Sequence, residues 1–210
     1  MTDDPIADAP FDALLCDFDN VIRFYDPGLL PELERRAGLA AGTTAQVAFA
    51  PGRDLPLLLG EITKRQWVES IVLGLTECVP EPVARELGTA FAELPFRADE
   101  AVVALLRRVR AHMPLVLVTN ATEELEADLV TLGLADLAHH VVSSARVGVA
   151  KPDRRIYEIA AERAGVAVQR CLFVDDRAEN VEAAVAIGMT GVHYRELADL
   201  SAVLGFLPPG

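Results

Sequence analysis

The chain has 210 residues, 51% of them hydrophobic, which suffices for one sizeable core or for a core plus a small accessory domain. A net charge of −13 argues against a nucleic-acid partner, since phosphate backbones are bound by basic surfaces, but leaves a small anionic substrate open. No apolar run approaches the roughly 18 residues of a membrane span, and the start lacks the basic stretch and long apolar run of an export signal. A soluble cytoplasmic protein is expected, monomer or homodimer, with no membrane partner.

In chain order, MTDDPIADAP lacks an apolar stripe and reads as a loose tail over residues 1–10. FDALLCDFDN is a short apolar run ending in carboxylates, a buried strand that opens into a polar loop. Residues 26–94 then show helical patterns and no good strand. LLPELERRAG is one helix, Thr63 with Gln66 forms a capping box before WVESIVLGL, and PEPVARELGTAFAEL opens on proline. Lys64 is expected on a solvated face of this block and Trp67 in its core.

Beyond the block, MPLVLVTN, HHVVSSA, CLFVDD and TGVHY repeat the strand pattern. Between them, one helix is expected from about Thr122, with Glu123 and Glu124 in its first turn, to a stop at Gly133. Another runs from Asp153 to Gly165, with Ile156, Ile159, Ala160 and Arg163 at helical spacing, and AENVEAAVAIG stops at Gly188. His139 and His140 fall where a strand begins, and the four histidines share no ligand spacing. Cys16 and Cys171 lie in strand-like runs as buried, inert thiols. The alternation predicts an α/β fold, a Rossmann-like parallel sheet covered by helices on both faces, with an inserted all-helical cap domain. The expected division is a core of 1–22 and 95–210 and a helical domain of 23–94.

In an open parallel sheet, ligands bind outside the carboxyl ends of the strands. The first strand ends in Asp17-Phe18-Asp19-Asn20, the second in Thr119-Asn120 and the fourth in Asp175-Asp176, and Lys151-Pro152 follows the third. Lys151 stands out because the chain has 17 arginines and two lysines. A lysine suits a site that needs a compact point charge between aspartate and phosphate.

The succession D-F-D-N-V, V-T-N, K-P-D and F-V-D-D-R-A-E-N resembles motifs one to four of the haloacid dehalogenase superfamily. The helical insertion resembles that superfamily's cap of the first type. FVDDRAENVEAAVAIGM is especially similar to the branch of epoxide-hydrolase phosphatase domains and bacterial sugar-phosphate phosphatases. The resemblance implies a phosphatase that hydrolyses a small-molecule phosphomonoester through a phospho-aspartate at Asp17. It implies that Asp19 is the general acid and base, with its backbone carbonyl on the metal. Asp17, Asp19, Asp175 and Asp176 would form the metal set, Asp175 either directly or through water. Crowded carboxylates repel one another without a cation, and a hard divalent ion with oxygen ligands, Mg²⁺, resolves that. Phe18, Asp19, Thr119, Asn120 and Lys151 would hold the phosphate, with Thr119 and Lys151 also counted among the catalytic groups. Asn180 falls where many relatives have aspartate, which points to an outer-shell role. Asn20 stands where relatives usually have glycine, and Asn tolerates positive φ. Arg23 and Tyr25, just after motif one, and Arg53 in the cap are the possible substrate contacts. Rival readings are a sugar-phosphate mutase or phosphotransferase, a 2-haloacid dehalogenase, and, from another class, a phospho-accepting receiver-like or non-catalytic binding protein.

Overall fold

The computed structural model describes residues 9–50 and 52–208, so residues 1–8 of the expected tail lie outside it. Ala9 and Pro10 depart from the expectation of looseness. Ala9 is buried, and the carbonyls of both accept hydrogen bonds from the Arg170 guanidinium. Among the described residues, no helix is long and apolar enough to cross a membrane.

The chain divides into two compact units: Tyr25–Arg97, and the rest up to Phe24 and from Ala98 onward. The helical unit was expected at 23–94, so the observed junctions fall two to three residues later. Two short strands not expected from the sequence, β2 (Arg23–Tyr25) and β3 (Phe96–Ala98), lie at these junctions. Three residues are too few to display a period of two. Within the core unit, the N–H of Asp99 donates to the carbonyl of Ile22 at 2.8 Å. Within the helical unit, the N–H of Asp26 donates to the carbonyl of Pro95 at 2.8 Å.

The core unit is a five-stranded parallel sheet of β1 (Ala13–Cys16), β4 (Leu115–Thr119), β5 (His140–Ser143), β6 (Cys171–Asp175) and β7 (Thr190–His193). Its order is β5-β4-β1-β6-β7, which puts β1 at the centre. Because strand side chains alternate, each buried strand feeds two cores. Leu14, Leu115, Leu117, Leu172 and Val174 face α6 (Glu100–Arg110), α7 (Leu125–Thr131) and α11 (Leu197–Val203). Ala13, Leu15, Val116, Val118 and Phe173 face α9 (Arg154–Ala164) and α10 (Ala178–Ala186). The expectation of a parallel sheet covered on both faces is met. Each buried Leu or Val contributes about 1.5–3 kcal/mol.

The helical unit contains α1 (Leu30–Arg36), α2 (Thr43–Ala48), α3 (Asp54–Leu58), α4 (Lys64–Leu75) and α5 (Glu81–Ala92). Its own core gathers Leu30, Leu57, Trp67, Ile71, Leu75 and Leu87, and Trp67 is buried there as expected. The Thr63–Gln66 capping box at the start of α4 is present in both directions. Buried Glu34 on α1 accepts the N–H groups of Gly42 and Thr44, each at 2.7 Å, and so caps α2 from outside.

α7 starts at Leu125 with Glu124 as its cap residue, two residues later than the expected cap at Thr122. The Thr122 hydroxyl accepts the Glu124 N–H at 3.4 Å in a local turn and does not cap a helix. Asp153 does cap α9, accepting the Arg155 N–H, and Gly165 closes it with φ +68°. A four-residue helix, α8 (Ser144–Val147), follows β5 directly.

Candidate active site

The polar ends of β1, β4 and β6 lie side by side because the strands are parallel and in register: Cys16 pairs with Leu117 and with Val174. Asp17 follows Cys16 directly, and its N–H donates to the Val174 carbonyl at 2.8 Å. Its side chain is buried, and Oδ1 accepts the Phe18 N–H at 2.7 Å. The Phe18 N–H thus serves the Asp17 carboxylate.

Lys151 lies between two carboxylates. Its Nζ is 2.7 Å from Asp17 Oδ1 and 2.6 Å from Asp175 Oδ2, with only 1% of the side chain exposed. The Asn120 side chain fixes the loop that carries it: Nδ2 donates to the Lys151 carbonyl and Oδ1 accepts the Lys151 N–H. Burial works against the ammonium charge, but Asp17 and Asp175 outweigh it and hold Lys151 above its ordinary value. Asp175 accepts further bonds from the Arg177 N–H and from the amide of Asn180, which reaches both oxygens at 3.0 and 3.1 Å. Asp176 accepts from the Asn20 amide at 3.0 Å, and its carbonyl accepts from His193 Nε2 at 2.9 Å. Asn20 has φ +59°, the one non-glycine positive φ among the described residues. Asn20, expected to tolerate positive φ where relatives usually have glycine, adopts it, and its side chain also reaches the acidic cluster.

Among the described residues, one group of acids is arranged to hold a metal ion: Asp17, Asp175 and Asp176 each bring an oxygen within 4.8 Å of the others. Three carboxylates against one ammonium leave two negative charges in formal excess. Burial is the main force on Asp17; the Lys151 ammonium opposes it and the Asp175 carboxylate adds to it, and the group is pushed up to about 7. Asp176 is also raised, chiefly by burial. An all-oxygen, electron-rich set with uncompensated charge fits a hard divalent cation. The hydroxyl of Thr119, at the end of β4, is buried without a hydrogen-bond partner. An unpaired buried hydroxyl costs about 1–3 kcal/mol, and an anion seated there would relieve it.

The Asp19 carboxylate is turned to Arg23, which is 2.6 Å from it and also 2.6 Å from Asp128. Arg23, expected as a possible substrate contact, is therefore engaged with two acids, and Asp128 on α7 was not anticipated at all. Tyr25 and Arg53 belong to the helical unit. Tyr25 meets the Phe96 ring edge-on at 5.8 Å. Arg53 donates to the Val47 carbonyl at 3.1 Å, and its guanidinium fills space where a Cβ on Gly74 would stand 2.6 Å away. Ser143 and Ser144, also unanticipated, bond the backbone of Ala121 and brace the loop after β4.

The family model for haloacid dehalogenase-like hydrolases matches residues 11–188. Phosphatase MT3486 of Mycobacterium tuberculosis is 32% identical over 190 residues, 83% of this chain and 82% of its own. Pyrimidine 5'-nucleotidase YjjG of Escherichia coli is 35% identical over 101 residues, 45% of each chain. Among solved structures, a Bacteroides thetaiotaomicron family enzyme in complex with magnesium and inorganic phosphate aligns at TM-score 0.71 with 19% identity, covering 92% of this chain and 98% of its own. The L-2-haloacid dehalogenase of Xanthobacter autotrophicus aligns at 0.62 with 20% identity, covering 95% and 85%.

Proposed function

The chain belongs to the haloacid dehalogenase-like hydrolases, and from that premise we propose that it is a Mg²⁺-dependent phosphatase that cleaves a small-molecule phosphomonoester through a phospho-aspartate at Asp17. The observation that carries this reading is the placement of Lys151 between Asp17 and Asp175, with the unpartnered Thr119 hydroxyl at the end of the neighbouring strand. Phosphoryl transfer needs a positioned nucleophile and charge neutralisation far more than covalent assistance.

Asp17, Asp175 and Asp176, with the Asp19 carbonyl, would hold the ion; once bound, Mg²⁺ supplies the positive charge that lets carboxylate and phosphate approach. An Asp17 carboxylate oxygen attacks phosphorus while the bond from phosphorus to the ester oxygen breaks. Asp19 donates its proton to that departing oxygen. Asp19 then accepts a proton from water, whose oxygen attacks the same phosphorus and breaks its bond to Asp17. Inorganic phosphate leaves and Asp17 is restored. Lys151 keeps the Asp17 carboxylate aimed and, with the Thr119 hydroxyl and the Asn120 N–H, binds the phosphoryl oxygens. Asp19 and the full acidic pair favour this chemistry over dehalogenation, which needs no acid two residues after the nucleophile.

The test is release of phosphate from an aryl phosphate. Activity is expected with Mg²⁺, lost on chelation and restored by adding the ion back. Asp17→Asn should abolish turnover in a folded protein. Substantial activity in that variant would remove Asp17 from the nucleophile role.

A further inference from the structure

The turn after Asp17 carries a charge cluster in which Asp19 of the first motif is joined by Arg23 and Asp128, which belong to none of the four motifs. The Arg23 side chain is 4% exposed, and its guanidinium grips Asp19 as a fork, Nε to Oδ1 at 2.6 Å and Nη2 to Oδ2 at 2.9 Å. Nη1 reaches Oδ2 of Asp128 at 2.6 Å. The Phe18 ring lies beneath, its centroid 4.8 Å from the guanidinium carbon. The backbone brings the pair together: the N–H groups of Ile22 and Arg23 both donate to the Phe18 carbonyl, and the Asn20 N–H donates to the Arg23 carbonyl.

A solvent-exposed ion pair contributes little, but this arrangement differs in two respects. The guanidinium is buried between two carboxylates, so removing Asp128 would leave the Asp19 fork to balance its charge but take away the acceptor that holds Nη1. Its fork also fixes the plane of the Asp19 carboxylate, whose two side-chain torsions would otherwise turn freely. Orientation matters to a proton-transfer group, for a displacement of about 1 Å can cost roughly 100-fold in rate.

We propose that Arg23 and Asp128 are positioning residues: Arg23 sets the orientation of the Asp19 carboxyl, and Asp128 anchors Arg23 from α7. The inference rests on the reading of Asp19 as the acid and base. Neither residue need touch substrate; both would act through Asp19.

Asp128→Asn keeps shape and removes the charge that anchors Arg23. Its kcat on an alkyl phosphate, whose leaving oxygen needs a proton, should fall by roughly tenfold, a part of the full acid-base contribution. On an activated aryl phosphate the fall in phosphoryl transfer should be about twofold or less, and KM should hold for both. Arg23→Lys keeps the charge but loses the fork, and should do no better than Arg23→Met. Thermal melts show whether each variant is folded. NMR of the substrate-free protein reads the clamp itself, through exchange of the Arg23 Nε proton with solvent. That exchange should be slow in the wild type and several-fold faster in Asp128→Asn. If no phosphomonoester is turned over, the functional reading fails while the NMR arm still decides whether the clamp exists. A clamp absent by NMR, equal losses on both substrates, rescue by lysine, or a rise in KM alone would each overturn the proposal. The last would make Arg23 a substrate contact.

Discussion

Lys151 meets two carboxylates with a single nitrogen, at 2.7 and 2.6 Å, and no planar fork reproduces that geometry in the same space. Lys151→Arg should therefore lower kcat by roughly 100-fold or more, comparable to removing one donor that stabilises developing charge. Steady-state kinetics on a folded sample would check it, and near-wild-type turnover would refute the point-charge argument. Asp17 offers a test that needs no substrate. Its folded value of about 7 lies above the ordinary 3.8, so between these the folded state binds the extra proton. The stability contributed by this group is complete below pH about 4 and is lost as pH rises through about 7. In chelator, Asp17→Asn should match the wild type in Tm at low pH and exceed it at pH 8, whereas Mg²⁺ should favour the wild type. A Tm difference that stays flat across this range would contradict the charge excess. The residues at strand ends were legible in the sequence because acids, a threonine and a rare lysine recurred where a parallel sheet exposes its carboxyl ends. Asp128 was not legible: it stands 105 positions from Arg23 on a helix with no motif, and only the packing of α7 brings the two together.

The helices that could be read carried their own start and stop chemistry, as α4 did with Thr63 and Gln66 and α9 with Asp153 and Gly165. The sequence places α7 two residues early because a threonine followed by two acids looks like a cap. Here that threonine closes a turn instead. α2, α3 and the three-residue strands span fewer than two full repeats of the periods that would reveal them. Glu34 held a clue in plain view, since it lies one helical turn beyond buried Leu30, on the apolar side of α1. A carboxylate there must find donors, and it finds the first N–H groups of α2. Glu34→Gln keeps one acceptor and turns an NH₂ toward a backbone N–H, so it should cost about 1.5–3 kcal/mol. Denaturant unfolding would measure this, and a change within about 0.5 kcal/mol would mean that solvent or backbone shifts replace the cap.

At the scale of the whole molecule, alternating strands and helices announced a parallel sheet, and a long strand-free stretch announced a separate helical unit. The strand order was not announced, because β1 pairs with strands about 100 and 160 residues away and nothing local encodes that choice. The hydrogen bond between Ile22 and Asp99 bears on this long reach. It means that the sheet-bearing unit treats everything between those residues as a detour that returns to its own starting point. Tyr25–Arg97 has the same property, with Asp26 and Pro95 one hydrogen bond apart and a core of its own. Such a segment is removable in principle. A gene in which a short glycine-containing turn links Phe24 to Ala98 should still yield the five-stranded sheet, and closing the shorter loop should save about 2–3 kcal/mol of chain entropy. The excised helices should fold alone as a helical miniature. Circular dichroism and cooperative melting of the two fragments would decide the matter; a shortened sheet fragment that fails to melt cooperatively would mean that the detour is a foundation. If both fold, the seam at Ile22 and Asp99 is a place where a lineage gains, loses or exchanges an entire domain without disturbing the sheet.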